Sequence, residues 1–134
     1  MKLALIGLGS VGRGVAHVVK NAPRFKIVAA ADSKSGAVNP DGLDIDRLLQ
    51  GKKETGRIGT PDWTVFRIAA EVDYDVLVEV TPTNAETGEP ALSTIKIALS
   101  RGKHVVTSNK GPISLYYREL ESLAEENGVS HRFE

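Results

Sequence analysis

Lys2-Leu3-Ala4-Leu5-Ile6-Gly7-Leu8-Gly9-Ser10-Val11-Gly12 is the stretch whose reading decides the fold. Its apolar run has no polar alternation and stops at Gly7, the pattern of a strand buried on both faces, as parallel sheets require. A helix is expected over 11–21, with Val11, Val15, Val18 and Val19 at helical spacing and Pro23 beyond its end. A second buried run, Lys26 to Ala31, ends at Asp32. Residues 33–42 are polar and rich in Gly and Pro, which predicts a loop. A short helix over 43–50 would stop at Gly51, residues 51–63 carry no clear pattern, and 64–71 reads as another short helix. A third strand over 75–80 is stopped by Thr81-Pro82, and a helix over 89–101 ends at Gly102. A fourth strand covers 104–107, a helix 112–127 has Pro112 in its first turn, and 129–133 reads as a fifth strand. Alternating strands and helices predict an α/β class chain with a doubly wound parallel sheet and helices on both faces. There is no internal repeat, low-complexity segment or linker, so residues 1–134 read as a single domain.

Composition narrows the function classes. The chain has 134 residues, 41% hydrophobic and 25% charged, which is the balance of a globular domain. Seventeen basic residues offset 17 acidic ones, so no global attraction to nucleic acid or to an anionic membrane is expected. With no Cys, disulfides and thiolate chemistry are excluded. No apolar run approaches the roughly 20 residues of a membrane span, and the glycine-interrupted N-terminus lacks a usual signal cleavage pattern. A cytoplasmic protein is expected.

The chemistry is expected where strands end. Gly7-x-Gly9-x-x-Gly12 follows a strand and opens a helix, the context in which this motif is informative. Gly7 permits the tight turn, Gly9 lets a pyrophosphate approach the backbone, and Gly12 lets the helix pack against the strand. The helix N-terminus supplies free N–H groups and a positive dipole end. Asp32 stands 20 positions after Gly12, about where a carboxylate would accept hydrogen bonds from the adenosine ribose. A carboxylate there favours NAD, because it repels a 2′-phosphate. Lys34, flanked by Ser33 and Ser35, keeps NADP open. The rival readings are a ligand-free glycine turn and an ordinary loop Asp.

The third strand exits through Thr81 and Pro82, which fall beside the same crevice and can face the nicotinamide ribose. Glu79 is a carboxylate within an apolar strand and needs a partner. A paired structural group is favoured for it over a direct ligand role. The fourth strand exits through Thr107-Ser108-Asn109-Lys110, where the Lys110 ammonium could polarise a carbonyl or shuttle a proton. From periodicity alone Lys110 reads as a surface lysine. The three histidines show no metal-ligand spacing, and Trp63 and Phe66 read as packing residues.

These segments resemble the amino-terminal, nucleotide-binding part of homoserine dehydrogenase. The resemblance rests on LALIGLGSVGRGVA, ADSKSGA, DVLVEVTPTN and GEPALSTIKIALSRGKHVVTSNKGPI, with Val105 to Pro112 the most specific element. It implies a Rossmann-type fold and a cofactor of NAD or NADP. The implied activity interconverts L-homoserine and L-aspartate 4-semialdehyde, in threonine, methionine and isoleucine biosynthesis. On the resemblance, Lys110 is a catalytic-site residue, Thr81 and Asn109 line the nicotinamide pocket, and Leu8, Gly9, Ser10 and Val11 form the pyrophosphate loop. Family members also hold a monovalent cation, Na or K, near a segment beginning with Glu, which Glu134 matches. The family continues into a second domain that binds substrate and forms a homodimer. That domain is absent here, so this chain reads as a truncated product, a fragment or an isolated cofactor domain that binds cofactor with negligible turnover. Two rivals are the cofactor domain of another small amino-acid oxidoreductase, such as aspartate dehydrogenase, and a non-catalytic NAD-sensing module. Aspartate dehydrogenase should lack the Asn109-Lys110-Gly111-Pro112 segment.

Overall fold

The computed structural model describes residues 1–133. Its elements in chain order are β1 (Lys2–Ile6), α1 (Ser10–Lys20), β2 (Lys26–Ala31), β3 (Gly36–Val38), α2 (Ile45–Thr55), α3 (Val65–Glu71), β4 (Val76–Glu79), α4 (Ala91–Ser100), β5 (His104–Thr107), α5 (Lys110–Glu126) and β6 (His131–Phe133). They form one six-stranded sheet in the order β3-β2-β1-β4-β5-β6. β1, β2, β4, β5 and β6 are parallel, while β3 pairs antiparallel with β2. The sheet is therefore mixed, where a purely parallel one was expected. No helix among the described residues is long and apolar enough to cross a membrane.

β1, β2 and β4 are buried on both faces because each face is covered, while β5 leaves His104 and Val106 exposed on one. Leu3, Leu5, Ile27, Ala30, Val76 and Val78 pack with Ala16 and Val19 of α1 and Leu48 of α2. Ala4, Ile6, Val28, Ala31, Leu77 and Val105 pack on the other face with Ile68 of α3, Ile95 and Leu99 of α4, and Leu120 of α5. Burying a side chain such as Leu5 or Ile95 fully is worth about 1.5–3 kcal/mol, so the two layers hold the sheet between them.

The two departures from the expected elements lie between β2 and α3. β3 occupies residues expected to be loop. Its hairpin is made by Asp32, whose Oδ1 accepts the Lys34 and Ser35 N–H groups while its own N–H donates to the Ser35 carbonyl. Three residues are too few to show period-2 alternation. Gly36 is required there for space, since a Cβ would stand 2.2 Å from the Trp63 carbonyl oxygen. α2 runs through Gly51 to Thr55 and is capped by Gly56 in the left-handed region, φ +75°. Gly51 costs an interior helix only about 1 kcal/mol, which the α2 packing around buried Leu48 tolerates.

Candidate functional site

Strand register brings the separate motifs to one level. Ile6 pairs with Ala31 of β2 and with Glu79 of β4, and Glu79 pairs with Thr107 of β5. The residues that follow each of these leave the sheet at one edge, where the strand order reverses between β2 and β4 around β1. A crevice at the carboxyl ends of the strands is the usual ligand position in such sheets. Here it is a cleft of about 770 Å³, within the range typical of small-molecule sites.

The three motif glycines do different work. Gly7 has φ +104°, and a Cβ on it would lie 2.9 Å from the Thr81 nitrogen and the Val80 carbonyl. A Cβ on Gly12 would lie 2.2 Å from the Gly7 carbonyl oxygen, so glycine there lets α1 sit against the end of β1. Gly9 is the opposite case, since a Cβ would meet nothing within 4 Å. It is the N-cap of α1, makes no side-chain cap bond, and is followed by a first turn without acidic residues. Ser10 and Val11, both exposed, line the cleft beside it. This is an open, uncapped helix N-terminus with space over the backbone, which suits a pyrophosphate.

The second wall begins at Asp32 and Ser33. Asp32 is 11% exposed at its side chain and forms an ion pair through Oδ2 with the Lys52 ammonium of α2. Burial alone would raise the Asp32 carboxyl. The hydrogen bonds from Lys52 and from the Lys34 and Ser35 N–H groups outweigh it and hold the carboxyl below its ordinary value. Asp32 therefore faces the cleft as an anion already partnered by a cation. Lys34 is exposed, and its N–H is spent on Asp32 rather than facing a ligand.

At the other end of the cleft lie Thr81, Pro82, Thr83 and Ser108, with Pro90 and Val65 completing the walls. Beneath Thr81 sits Glu79, wholly buried. Its Oε1 accepts the Thr81 N–H at 2.9 Å, and the Thr81 hydroxyl lies 2.9 Å from both carboxylate oxygens. Asn109 donates from Nδ2 to Glu79 Oε1 at 3.4 Å and to the Thr81 carbonyl at 3.2 Å. The expected pairing of Glu79 is thus through hydrogen bonds, with no ion pair to it among the described residues. Burial pushes its carboxyl above the ordinary range, and the Thr81 and Asn109 bonds oppose this only in part. Asn109 caps α5 by accepting the Gly111 N–H. Lys110 follows it as the exposed first residue of that helix.

The structure therefore gathers Gly7, Leu8, Gly9, Ser10, Val11, Asp32, Ser33, Thr81 and Pro82 around the cleft. Gly12, Lys34, Asn109 and Lys110, also expected at the site, stand behind or beside it and do not line it. Glu134 lies outside the described residues. Arg13 and Lys52 also line the cleft and were missed from sequence. Arg13 had a signal, since it follows Gly12 directly. For Lys52 the signal is Gly56, which as the helix stop in place of Gly51 puts Lys52 on α2.

Comparison with known proteins agrees with this geometry. Residues 7–134 match the family model described as the NAD binding domain of homoserine dehydrogenase. The chain is 40% identical to a homoserine dehydrogenase of Methanocaldococcus jannaschii, over 100% of this chain and 44% of that protein. It is 38% identical to an NAD(+)-dependent homoserine dehydrogenase of Pseudomonas canavaninivorans, over 99% of this chain and 42% of that one. A hyperthermophilic archaeal homoserine dehydrogenase solved in complex with NADPH superposes with a TM-score of 0.83 at 27% identity, covering 99% of this chain and 43% of that one. The chain spans less than half the length of the curated relatives it matches. With its Rossmann-type sheet and its glycine-motif cleft, it belongs to the homoserine dehydrogenase family as the NAD-binding domain.

Proposed function

We propose that this domain serves an enzyme that interconverts L-homoserine and L-aspartate 4-semialdehyde by hydride transfer. The observation that carries the reading is the level exit of β1, β2, β4 and β5 into one cleft, with an open Gly9 and an uncapped α1 at its centre. Gly9, Ser10 and Val11 would hold the pyrophosphate through backbone N–H groups. Asp32 and Ser33 would take the adenosine ribose, and Thr81 and Pro82 the nicotinamide ribose. The bound nicotinamide supplies or accepts the hydride. Lys110 would donate or withdraw a proton at the carbonyl oxygen, or polarise it.

Both NAD and NADP fit this arrangement. The Asp32 carboxylate suits ribose hydroxyls, while Lys52 offsets its charge and leaves a cation beside it for a 2′-phosphate. The 134 residues form one dinucleotide-binding domain and, taken alone, bind cofactor with negligible turnover. Lys110 is exposed, and no further wall encloses it among the described residues. Without enclosure, the orientation that supplies much of an enzyme's rate is missing. The test is homoserine oxidation, followed by NADH or NADPH absorbance, with the purified 134-residue chain and with a version joined to a relative's remaining domain. Turnover only in the joined protein, lost on Lys110→Ala with cofactor binding kept, is expected. Turnover by the 134 residues alone, or Lys110→Ala at full activity, would overturn the reading.

A further inference from the structure

We propose that Glu79 is a positioning residue that ties the two strand exits at the reaction end together and thereby sets the place of the nicotinamide half of the cofactor. This rests on the cleft being the dinucleotide site. Glu79 ends β4, is fully buried and does not itself line the cleft. A buried carboxylate without a cation is a costly way to fill a strand position that Val76, Leu77 and Val78 fill with apolar side chains. What its atoms touch shows what that cost sustains.

The Glu79 carboxylate holds Thr81 twice, at the N–H and at the hydroxyl. It also accepts from Asn109 Nδ2. Its backbone carbonyl accepts the Thr107 hydroxyl at 2.9 Å and the Ser108 N–H at 3.2 Å. One residue therefore reaches the exit of β4, the exit of β5 and, through Asn109, the cap of α5. The two exits are in direct contact as well, since a Cβ on Gly111 would lie 2.7 Å from the Asn84 carbonyl oxygen. A shift of the Thr81 loop is thus passed to the α5 start on which Lys110 stands. Of the groups in this network, Thr81 reaches the cleft wall, and Ser108 lies beside it. The adenosine end, at Asp32 and Lys52, shares no hydrogen bond with Glu79. Disturbing Glu79 should therefore be felt by the nicotinamide half and not by the adenosine diphosphate half.

Glu79→Gln keeps the volume but leaves a single carbonyl oxygen for the Thr81 N–H, the Thr81 hydroxyl and Asn109 Nδ2, with the Thr81 hydroxyl oxygen the one acceptor its new NH2 group can meet. The experiment is calorimetric titration of the 134-residue chain and of Glu79→Gln with NADH and with ADP-ribose, which lacks the nicotinamide. NADH fluorescence is recorded in parallel. The expected result is a tenfold or greater loss of NADH affinity, ADP-ribose binding within twofold of wild type, and an altered nicotinamide emission. Equal losses for both ligands, or none, would overturn the proposal. So would wild-type binding of NADH no tighter than ADP-ribose, since no nicotinamide contact would then exist to be set. Failure of wild type to bind either ligand would instead overturn the reading of the cleft. Should Glu79→Gln not fold, Glu79→Asp keeps the charge but draws it back from Asn109, and the same selective loss is expected of it.

Discussion

Two substitutions in the glycine motif should separate fold from binding. A Cβ on Gly12 would stand 2.2 Å from the backbone oxygen of Gly7, more than 1 Å inside the 3.4 Å at which ordinary contact begins. Both partners are backbone, so neither can swing aside, and α1 must move off the end of β1. Overpacking typically costs 1–3 kcal/mol, and a rigid clash of this depth belongs at about 3 kcal/mol. For a chain of this size that is roughly a 10 °C loss of Tm. Gly9→Ala meets no atom within 4 Å, and Gly9 has φ −81°, which alanine adopts freely. Its fold cost should be about 1 kcal/mol, the usual difference between Gly and Ala at an N-cap, and so well short of that of Gly12→Ala. The methyl would fill the space over the α1 N-terminus, and NADH affinity should fall at least tenfold, about 1.4 kcal/mol. Thermal melts without ligand, followed by NADH titration of each folded variant, read both effects. Gly9→Ala binding NADH as wild type does would refute the assignment of that space to the pyrophosphate. Gly12→Ala melting within about 2 °C of wild type would refute the packing argument.

Three further outcomes are expected. Lys52→Met leaves Asp32 as an unpaired anion beside the adenosine ribose, so NADPH affinity should drop about tenfold more than NADH affinity; competitive titration checks this, and equal losses would show that Lys52 does not face the 2′ position. Burial raises the Glu79 carboxyl above its ordinary 4.5, so the folded chain keeps a proton that the unfolded chain has released. Stability should then fall as pH rises from 4.5 to the raised folded value and level off beyond it. Glu79→Gln should remove that fall in a urea series from pH 4 to 8. His131, held below its ordinary 6.5 by burial, contributes the opposite slope below 6.5 in both proteins, so the difference between them isolates Glu79. An identical slope in the two would sink this account. Asp32, lowered from 3.8 by Lys52 and the two backbone N–H groups despite its burial, stabilises the fold above 3.8. That contribution should be lost as pH falls from 3.8 through the lowered folded value, and Asp32→Asn should flatten the acid limb of a urea series carried on from pH 4 down to pH 2.

β1, β2 and β4 were legible because they are buried on both faces. Continuous apolar runs such as Leu3 to Ile6 and Val76 to Val78, each ended by glycine or a polar turn, leave few other readings. The glycine loop was legible for the same reason, since strand, motif and helix are contiguous. β3 was not, because its three residues are held by an Asx turn at Asp32 and by a bridge from Gly36 to Thr60, 24 positions away. The end of α2 was misplaced because Gly51 looks like a stop, and only tertiary packing shows that the helix continues to Gly56. That misplacement hid Lys52, the cation at Asp32. Glu79 announced itself as a buried charge, but its partners lie on a loop and on a neighbouring strand exit, and that neighbourhood is set by register.

In the proposed function, the cleft at the ends of β1, β2, β4 and β5 holds the dinucleotide. Amide chemical shifts of the ¹⁵N-labelled chain, followed through an NADPH titration and a parallel NADH titration, test it residue by residue. Saturable shifts at one site per chain are expected, largest at Gly9, Ser10 and Val11 and extending to Ser33, Thr81 and Ser108. Absence of saturation, or shifts centred instead on the groove lined by Phe25, Leu43 and Ile45, would contradict it.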